Sequence, residues 1–345
     1  MEAMTSGAEA AKKAPEPLGL LRGHEAAVHC TSFLTTSSVV SGAADGVVKL
    51  WNLKTRRATS SFACHSTAGV LHCCSLDNGA RFVTHGRDGL IKVWDAAAFG
   101  GDQQPVHSFR CDSYTFTKVA PRRWSSHTAT PGIDQLLICP GSDAEKVLVY
   151  DMRESGSSPV ALFSAPTDGT KRGMFMSLCV VEAHSHPYVV AGFEGGQLAV
   201  FDARSGFKML CETKISSNPL LALDVAEDGA SALCGPSDDE ISQATIDYGM
   251  AMIDVKPFFR CNRGGLGIIR IRPDQRIFAT GGTDHRVRIF HHQKLKPLAI
   301  LKHHTESVFA MDFSPDNALL VSGAKDKKIA LWSIYPPTGQ PNPLR

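Results

Sequence analysis

No stretch of the 345 residues approaches the ~18 consecutive apolar residues that a membrane helix needs. The opening segment, MEAMTSGAEAAKKAPEP, lacks the apolar run of a secretory signal. Neither membrane insertion nor secretion is expected. Charge of one sign is also missing: 36 Lys and Arg stand against 34 Asp and Glu, a net of +2. A dedicated nucleic-acid binder carries a larger basic excess, so no direct nucleic-acid partner is expected. There are ten cysteines but no CxxC pair and no Cys/His ladder with zinc spacing. No Asn-x-Ser/Thr acceptor occurs either. Several cysteines lie in apolar runs (LLICP, SLCVV, SALCG), where a reduced thiol packs as a small hydrophobe. These absences imply a reducing compartment, nucleus or cytoplasm. The sequence also lacks any sustained 3.6-residue apolar period, so long amphipathic helices are not predicted.

What is present is repetition. SGAADGVVKLWN, THGRDGLIKVWD and SGAKDKKIALWS each run from Ser or Thr through a turn Asp into alternating apolar residues, ending at Trp51, Trp94 and Trp332. Weaker copies end at Tyr150, Phe201 and Phe290, and the most degenerate puts Ala244 in the aromatic slot. The slots are spaced by 43, 56, 51, 43, 46 and 42 residues, clustering on the ~40–45 residues of a four-stranded propeller blade. The two long spacings coincide with Pro/Gly/Ser-rich stretches that read as loop insertions. The sequence therefore predicts an all-β, seven-bladed WD-repeat β-propeller over residues 17–335, between a disordered tail at 1–16 and a C-terminal tail at 336–345.

The same spacing predicts how the ring is held. His24, Ser41, Asp45 and Trp51 occupy tetrad positions in blade one, His65, Thr84, Asp88 and Trp94 in blade two, and His304, Ser322, Asp326 and Trp332 in blade seven. A buried indole N–H needs an acceptor; a hydroxyl can take it while bonding the imidazole, which a carboxylate then fixes. Blade six keeps Thr280 and Asp284 but has Phe290 and no equivalent His. Closure of the circle is assigned to a strand around Leu18–Arg22 acting as the outer strand of blade seven, which removes an exposed edge.

Three Ser/Thr–His–Asp sets invite a hydrolase reading. Their recurrence in repeated units argues for struts, because a nucleophile must be exposed and no Gly-x-Ser-x-Gly elbow occurs. Gly264, Gly265 and Gly267 lead into the strand-like IIRIR, so they offer no helix N-terminus to an anion. His184/His186, His291/His292 and His303/His304 sit on separate blades with no carboxylates spaced to join them as metal ligands. No catalytic residue, metal or cofactor is predicted, and a small-molecule site would need convergent acidic or His side chains around the central channel. Charge is polarised along the chain, −8 over residues 212–254 and +9 over 256–345. Arg270, Arg272, Arg286 and Arg288 alternate with apolar residues as on a solvated strand face. Candidate contact regions are the insertions 97–107, 121–135 and 167–174 and the acidic edge of blade five.

Beyond the tetrads, LWNLKTRRA (50–58), HGRDGLIKVWD (85–95), RGMFMSL (172–178), AGFEGGQLAVFD (191–202), IRPDQRIFATGGTDHRVRIFH (271–291) and SGAKDKKIALWSIYPP (322–337) carry a resemblance over roughly residues 18–336. The chain resembles the G-protein β-subunit-like WD-repeat family, whose fungal counterpart is the WD-repeat subunit of the chromatin-associated ASTRA assembly. The resemblance implies a non-enzymatic scaffold, a monomeric ring whose partners are ASTRA-type subunits or the co-chaperones that mature phosphatidylinositol-3-kinase-like kinases, with a link to chromatin remodelling. A γ-subunit partner is not expected, because only some 16 residues precede the first strand and no long N-terminal helix is encoded. The competing function rests on Tyr150-Asp151-Met152-Arg153 and Phe201-Asp202-Ala203-Arg204. These look like the Trp-Asp-x-Arg boxes by which substrate receptors dock on the adaptor of cullin–RING ubiquitin ligases, with Asp151, Arg153, Asp202 and Arg204 as the docking residues.

Overall fold

The computed structural model describes residues 15–334, apart from 67, 101–103, 114–116, 122–135, 154–157, 238–239 and 261–264. Both tail segments proposed from the sequence lie almost wholly outside these residues. The described chain forms seven four-stranded antiparallel sheets. Blades one to six are built from consecutive strands, spanning 28–63, 70–110, 120–164, 175–214, 220–260 and 266–302. Blade seven takes three strands from 308–333 and its fourth from Gly19–Arg22, in the order that closes the ring. Gly19 faces Leu331, Leu21 faces Ile329, and the Leu18 amide donates to the Leu331 carbonyl at 2.7 Å. Among the described residues the one helical element is a 3-10 turn at Asp77–Gly79, and no helix is long and apolar enough to cross a membrane.

The repeat becomes a blade through one local pattern. In Val47–Asn52, Leu90–Asp95 and Arg286–His291 the burial alternates identically, with consecutive buried residues at the fourth and fifth positions. Period-two alternation puts one face of each sheet against each neighbouring blade, so both faces need apolar residues. Trp51 and Trp94 fill the space between sheets at the fifth position, and Phe290 does the same in blade six. The turn before each of these strands uses an Asp whose carboxylate accepts an amide two residues on: Asp45 from Val47 at 3.1 Å, Asp88 from Leu90 at 3.1 Å, Asp326 from Lys328 at 3.1 Å. The residue after that Asp needs positive φ. It is Gly46 (φ 83°) and Gly89 (φ 73°) in the first two blades, whereas His285 (φ 68°) and Lys327 (φ 67°) accept the strain in the last two.

Candidate functional site

In blade two the Trp94 indole donates to Thr84 Oγ1 at 2.9 Å, Thr84 meets His65 Nε2 at 2.8 Å, and His65 Nδ1 lies 3.0 Å from both Asp88 carboxylate oxygens. Blade seven repeats this, with Trp332 to Ser322 at 2.9 Å, Ser322 to His304 at 2.9 Å, and His304 to Asp326 at 3.0 Å. All of these hydroxyls are fully buried and already bonded on both sides. None is placed to attack a substrate. Burial pushes the His65 imidazole down despite the Asp88 bond that raises it. Burial, the largest single effect, would raise Asp88, but the His65 hydrogen bond and charge, the Leu90 amide and the Lys92 charge together outweigh it and hold the carboxyl low.

Blade one departs from the expected tetrad. Trp51 and His24 both reach Ser41, each at 2.7 Å, but His24 Nδ1 is buried without a partner and Asp45 serves only its turn. Burial, followed by the Lys49 charge and against the field of Asp45, pushes His24 down to about 4. Spacing placed Asp45 in the tetrad because turn Asp and tetrad Asp are the same residue in sequence; whether its carboxylate also turns to the imidazole is a side-chain matter. Two predictions follow from this difference. Asp88→Ala strips the buried His65 nitrogen of its acceptor and costs about 1–3 kcal/mol beyond the turn bond, while Asp45→Ala loses the turn bond alone, about 0.5–1.5 kcal/mol. Urea unfolding of the two variants distinguishes them; equal losses contradict the arrangement.

The second prediction concerns pH. An unfolded His titrates near ~6.5, above folded His24, so between that value and about 4 the unfolded chain binds the extra proton. His24 therefore contributes stability that is complete above its unfolded pKa and is lost as pH falls toward about 4, up to about 3 kcal/mol in all. His24→Gln should flatten the stability–pH profile in that window. A profile identical to the parent's would contradict it.

In blade six the Thr280 hydroxyl is buried with no partner, and Asp284 is taken by Arg288 instead of a His. Phe290 stacks on Phe278 with centroids 4.9 Å apart. The arginines expected on a solvated face are mostly structural. Arg272 is buried, forks onto Asp274 at 2.8 and 2.7 Å, and donates to the Ile334 carbonyl at 3.0 Å, so it fastens blade six to blade seven. Arg270 points to the channel, 3.7 Å from Asp224.

The channel itself encloses about 510 Å³ and is lined by inner strands of every blade, with Lys118, Glu182, Asp224, Arg270 and Asp312 among its charged residues. Burial, and then the Arg270 charge, push Lys118 down to about 8. The two aspartates are committed to the ring: Asp224 accepts the Ile271 amide of the next blade at 2.6 Å, and Asp312 accepts the Phe33 amide at 2.9 Å. Ser32 accepts the Ser75 amide at 3.2 Å in the same register. Sequence reading missed this lashing between blades, although LDVAEDG (223–229) and MDFSPDN (311–317) place an Asp at the same strand position. His184/His186, His291/His292 and His303/His304 join no metal-binding group among the described residues.

Two of the insertions each turn a large side chain inward. In 97–107, Phe99 turns inward, edge-on to Trp94 at 5.6 Å and to Phe82 at 5.0 Å. In 167–174, Arg172 is buried, held by Asp168 and Glu212 through four bonds of 2.6–2.8 Å and by the Pro166 carbonyl at 2.9 Å. Through Phe99 and Arg172 both segments brace the ring. Residues 122–135 lie outside the described residues. Of the acidic residues counted toward blade five, Glu212 belongs to blade four and is paired with Arg172, and Asp224 faces the channel. Glu227, Asp228, Asp247 and Asp254 remain exposed.

Both proposed docking boxes hold their arginines within their own blade. Asp151 accepts the Arg153 amide and Nε, both at 2.9 Å, and also meets its Nη2. Asp202 accepts the Arg204 amide at 2.9 Å, while the Arg204 guanidinium reaches His186 Nδ1 at 2.8 Å and the Ser185 carbonyl at 3.1 Å. Tyr150 and Phe201 are buried. Among the described residues the exposed large apolar side chains are Val106 on blade two, Val160 and Leu162 on blade three, Leu221, Met250 and Met252 on blade five, and Leu298 and Ile300 on blade six.

Seven sheets closed by an N-terminal strand, with buried Trp–Ser/Thr–His networks, define a WD-repeat β-propeller. A family model described as "WD domain, G-beta repeat" matches residues 15–52, 56–95 and 295–333, the segments that hold the three networks. Over nearly its whole length the chain is similar to "Guanine nucleotide-binding protein subunit beta-like protein 1" of Mus musculus, 30% identical over 330 residues, covering 93% of this chain and 97% of that one. It is also similar to "ASTRA-associated protein 1" of Verticillium alfalfae, 27% identical with 96% of each chain covered, and of Schizosaccharomyces japonicus, 25% identical with 93% and 99% covered. The chain belongs to this β-subunit-like WD-repeat family. Among solved structures, the β-propeller domain of Cps50 (Swd1) from Myceliophteria thermophila shares the fold, with a TM-score of 0.74 at 18% identity over 92% of this chain and 99% of that one.

Proposed function

We propose that the protein is a non-enzymatic scaffold in an ASTRA-type assembly, acting with the co-chaperone machinery that matures phosphatidylinositol-3-kinase-like kinases and with chromatin remodelling, in the nucleus, the cytoplasm or both. The carrying observation is the end-to-end similarity to proteins named ASTRA-associated protein 1, which spans all seven blades. The buried, doubly bonded tetrad hydroxyls support it, since they serve the ring and are not themselves exposed as nucleophiles. A closed ring is rigid, and loops and faces on a rigid frame hold partners with little ordering cost. The contact arc of this reading is the side of the ring opposite the intact tetrads, where blade five exposes Leu221, Met250 and Met252 and blade three exposes Val160 and Leu162. The test is affinity purification of the tagged chain from native lysate with mass-spectrometric identification of partners. Kinase-maturation co-chaperones or ASTRA-type subunits are expected. A cullin-ligase adaptor in their place, lost in the Arg153→Ala, Arg204→Ala double variant, would overturn the reading; the internal pairing of both arginines argues against that outcome.

A further inference from the structure

At the rim where the third strand of a blade begins and its outer strand ends, each blade sets two residues directly opposite each other. In blades one to four at most one member of the pair is charged, as in Leu90 opposite Arg110. Blade five puts Glu240 opposite Arg260, and the two pair at 2.8 Å. Blades six and seven put a cation on both strands: Arg286 faces Lys302, and Lys328 faces Arg22. Like charges directly opposite in a sheet repel. The other blades show that the position accepts a neutral residue or an acid. A charge on the outer strand blunts that edge against other chains, but a second like charge on the strand inside it adds only repulsion.

The two pairs belong to one surface. The chain passes from Lys302, the end of its outer strand, straight into His303, and His303 lies in the field of both Lys328 and Arg22. Among the described residues none of the four cations has an ion pair, and the acids near them are committed. Asp284 is held by Arg288 at 2.5 Å, Asp326 by His304 at 3.0 Å, and Glu306 lies 4.0 Å from Lys325. This rim lies in the basic stretch of the chain, +9 over residues 256–345.

We propose that the rim of blades six and seven is a docking surface for an acidic peptide segment of a partner protein, one rich in Asp and Glu. Carboxylates laid across the two pairs relieve both repulsions at once, and an arginine can fork onto a carboxylate with two parallel bonds. That the anion belongs to a protein rests on the scaffold reading. Glu25 and Glu306, exposed on the loops that follow the two outer strands, flank the cations with negative charge. That leaves room for a short acidic segment and works against a continuous polyanion such as a nucleic acid. The surface is separate from the exposed apolar side chains of blades three and five, so it adds a second contact to the ring.

The experiment follows the fluorescence anisotropy of a labelled oligo-glutamate peptide titrated with the full chain, beside oligo-glutamine and single-stranded DNA of equal length. Expected is saturable binding of oligo-glutamate that weakens as salt rises, none of oligo-glutamine, and weaker binding of the DNA. Arg22→Glu with Lys302→Glu turns each like-charged pair into an opposite one, so the fold should be kept while affinity falls about tenfold or more. Lys256→Glu with Arg276→Glu makes the same charge change at exposed positions elsewhere and should alter affinity by less than about threefold. No saturable binding of oligo-glutamate at low salt would overturn the proposal, as would equal losses in the two double variants or tighter binding of the DNA. Salt-sensitive self-association of the full chain, abolished by Arg22→Glu with Lys302→Glu, would also overturn it and assign the rim to a second copy. The readout is peptide binding by the purified chain, so this surface can fail while partners are still recovered from native lysate; a lysate that yields no partner counts against the scaffold reading instead.

Discussion

Deleting residues 1–22 should open the ring and abolish the monomeric fold. That truncation removes the four-residue pairing of Gly19–Arg22 with the blade-seven strand Lys328–Ser333, and with it Leu21, which is 1% exposed in a cluster with Val28, Trp51 and Leu331. An unpaired strand with apolar faces then stands at the end of a ring that no longer closes, a template for pairing with other copies. Size-exclusion chromatography should show aggregates or larger oligomers, and near-UV dichroism should lose the signal of the buried tryptophans. The graded version is Leu21→Ala, which should cost about 2–5 kcal/mol by cavity formation. A truncated chain that elutes as a folded monomer with the parent's unfolding midpoint would show that closure does not depend on this strand.

Arg272→Ala should be the most damaging single charge removal. The Arg272 guanidinium is 3% exposed, satisfies both oxygens of Asp274, and reaches the Ile334 carbonyl of the neighbouring blade. Burial, the largest single effect, would raise Asp274, but the Arg272 bonds and charge together with the Arg276 amide and charge outweigh it and hold the carboxyl low. Taking away one partner of a buried pair leaves the other charge uncompensated, at about 3–5 kcal/mol. Arg272→Lys should recover little, because one ammonium cannot fork onto two carboxylate oxygens and also reach across the blade boundary. Arg276 is the control: 74% exposed and 3.9 Å from the same Asp274, it should cost under about 1 kcal/mol when truncated. Chemical denaturation reads all three. Equal losses for Arg272→Ala and Arg276→Ala would remove Arg272 from the list of braces.

The contrast between these residues shows what a sequence exposes and what it hides. The aromatic slots announced seven blades because each blade must repeat the same two-period strand and the same Asp turn, and the physical demand leaves a regular trace. Asp88 and Asp45 carry identical traces, yet only Asp88 reaches its histidine, since that step depends on the rotamer and on neighbouring charge. Arg270 and Arg272 alternate with apolar residues as a solvated face would; in the ring one faces the channel and the other is sealed between blades. Alternation tells which residues share a face, not what covers it. The docking boxes were legible as short strings, but the short string did not show that Arg153 folds onto Asp151 or that Arg204 reaches the turn at Ser185 and His186 of the same blade.

This ring is proposed to work by holding other proteins. Native mass spectrometry of the tagged chain, purified gently from its own cells, addresses it directly. One copy of the propeller in stoichiometric complex with ASTRA-type or kinase-maturation co-chaperone subunits is the predicted result. The propeller recovered alone, with a retained low-molecular-weight ligand and turnover of it, would contradict the scaffold reading.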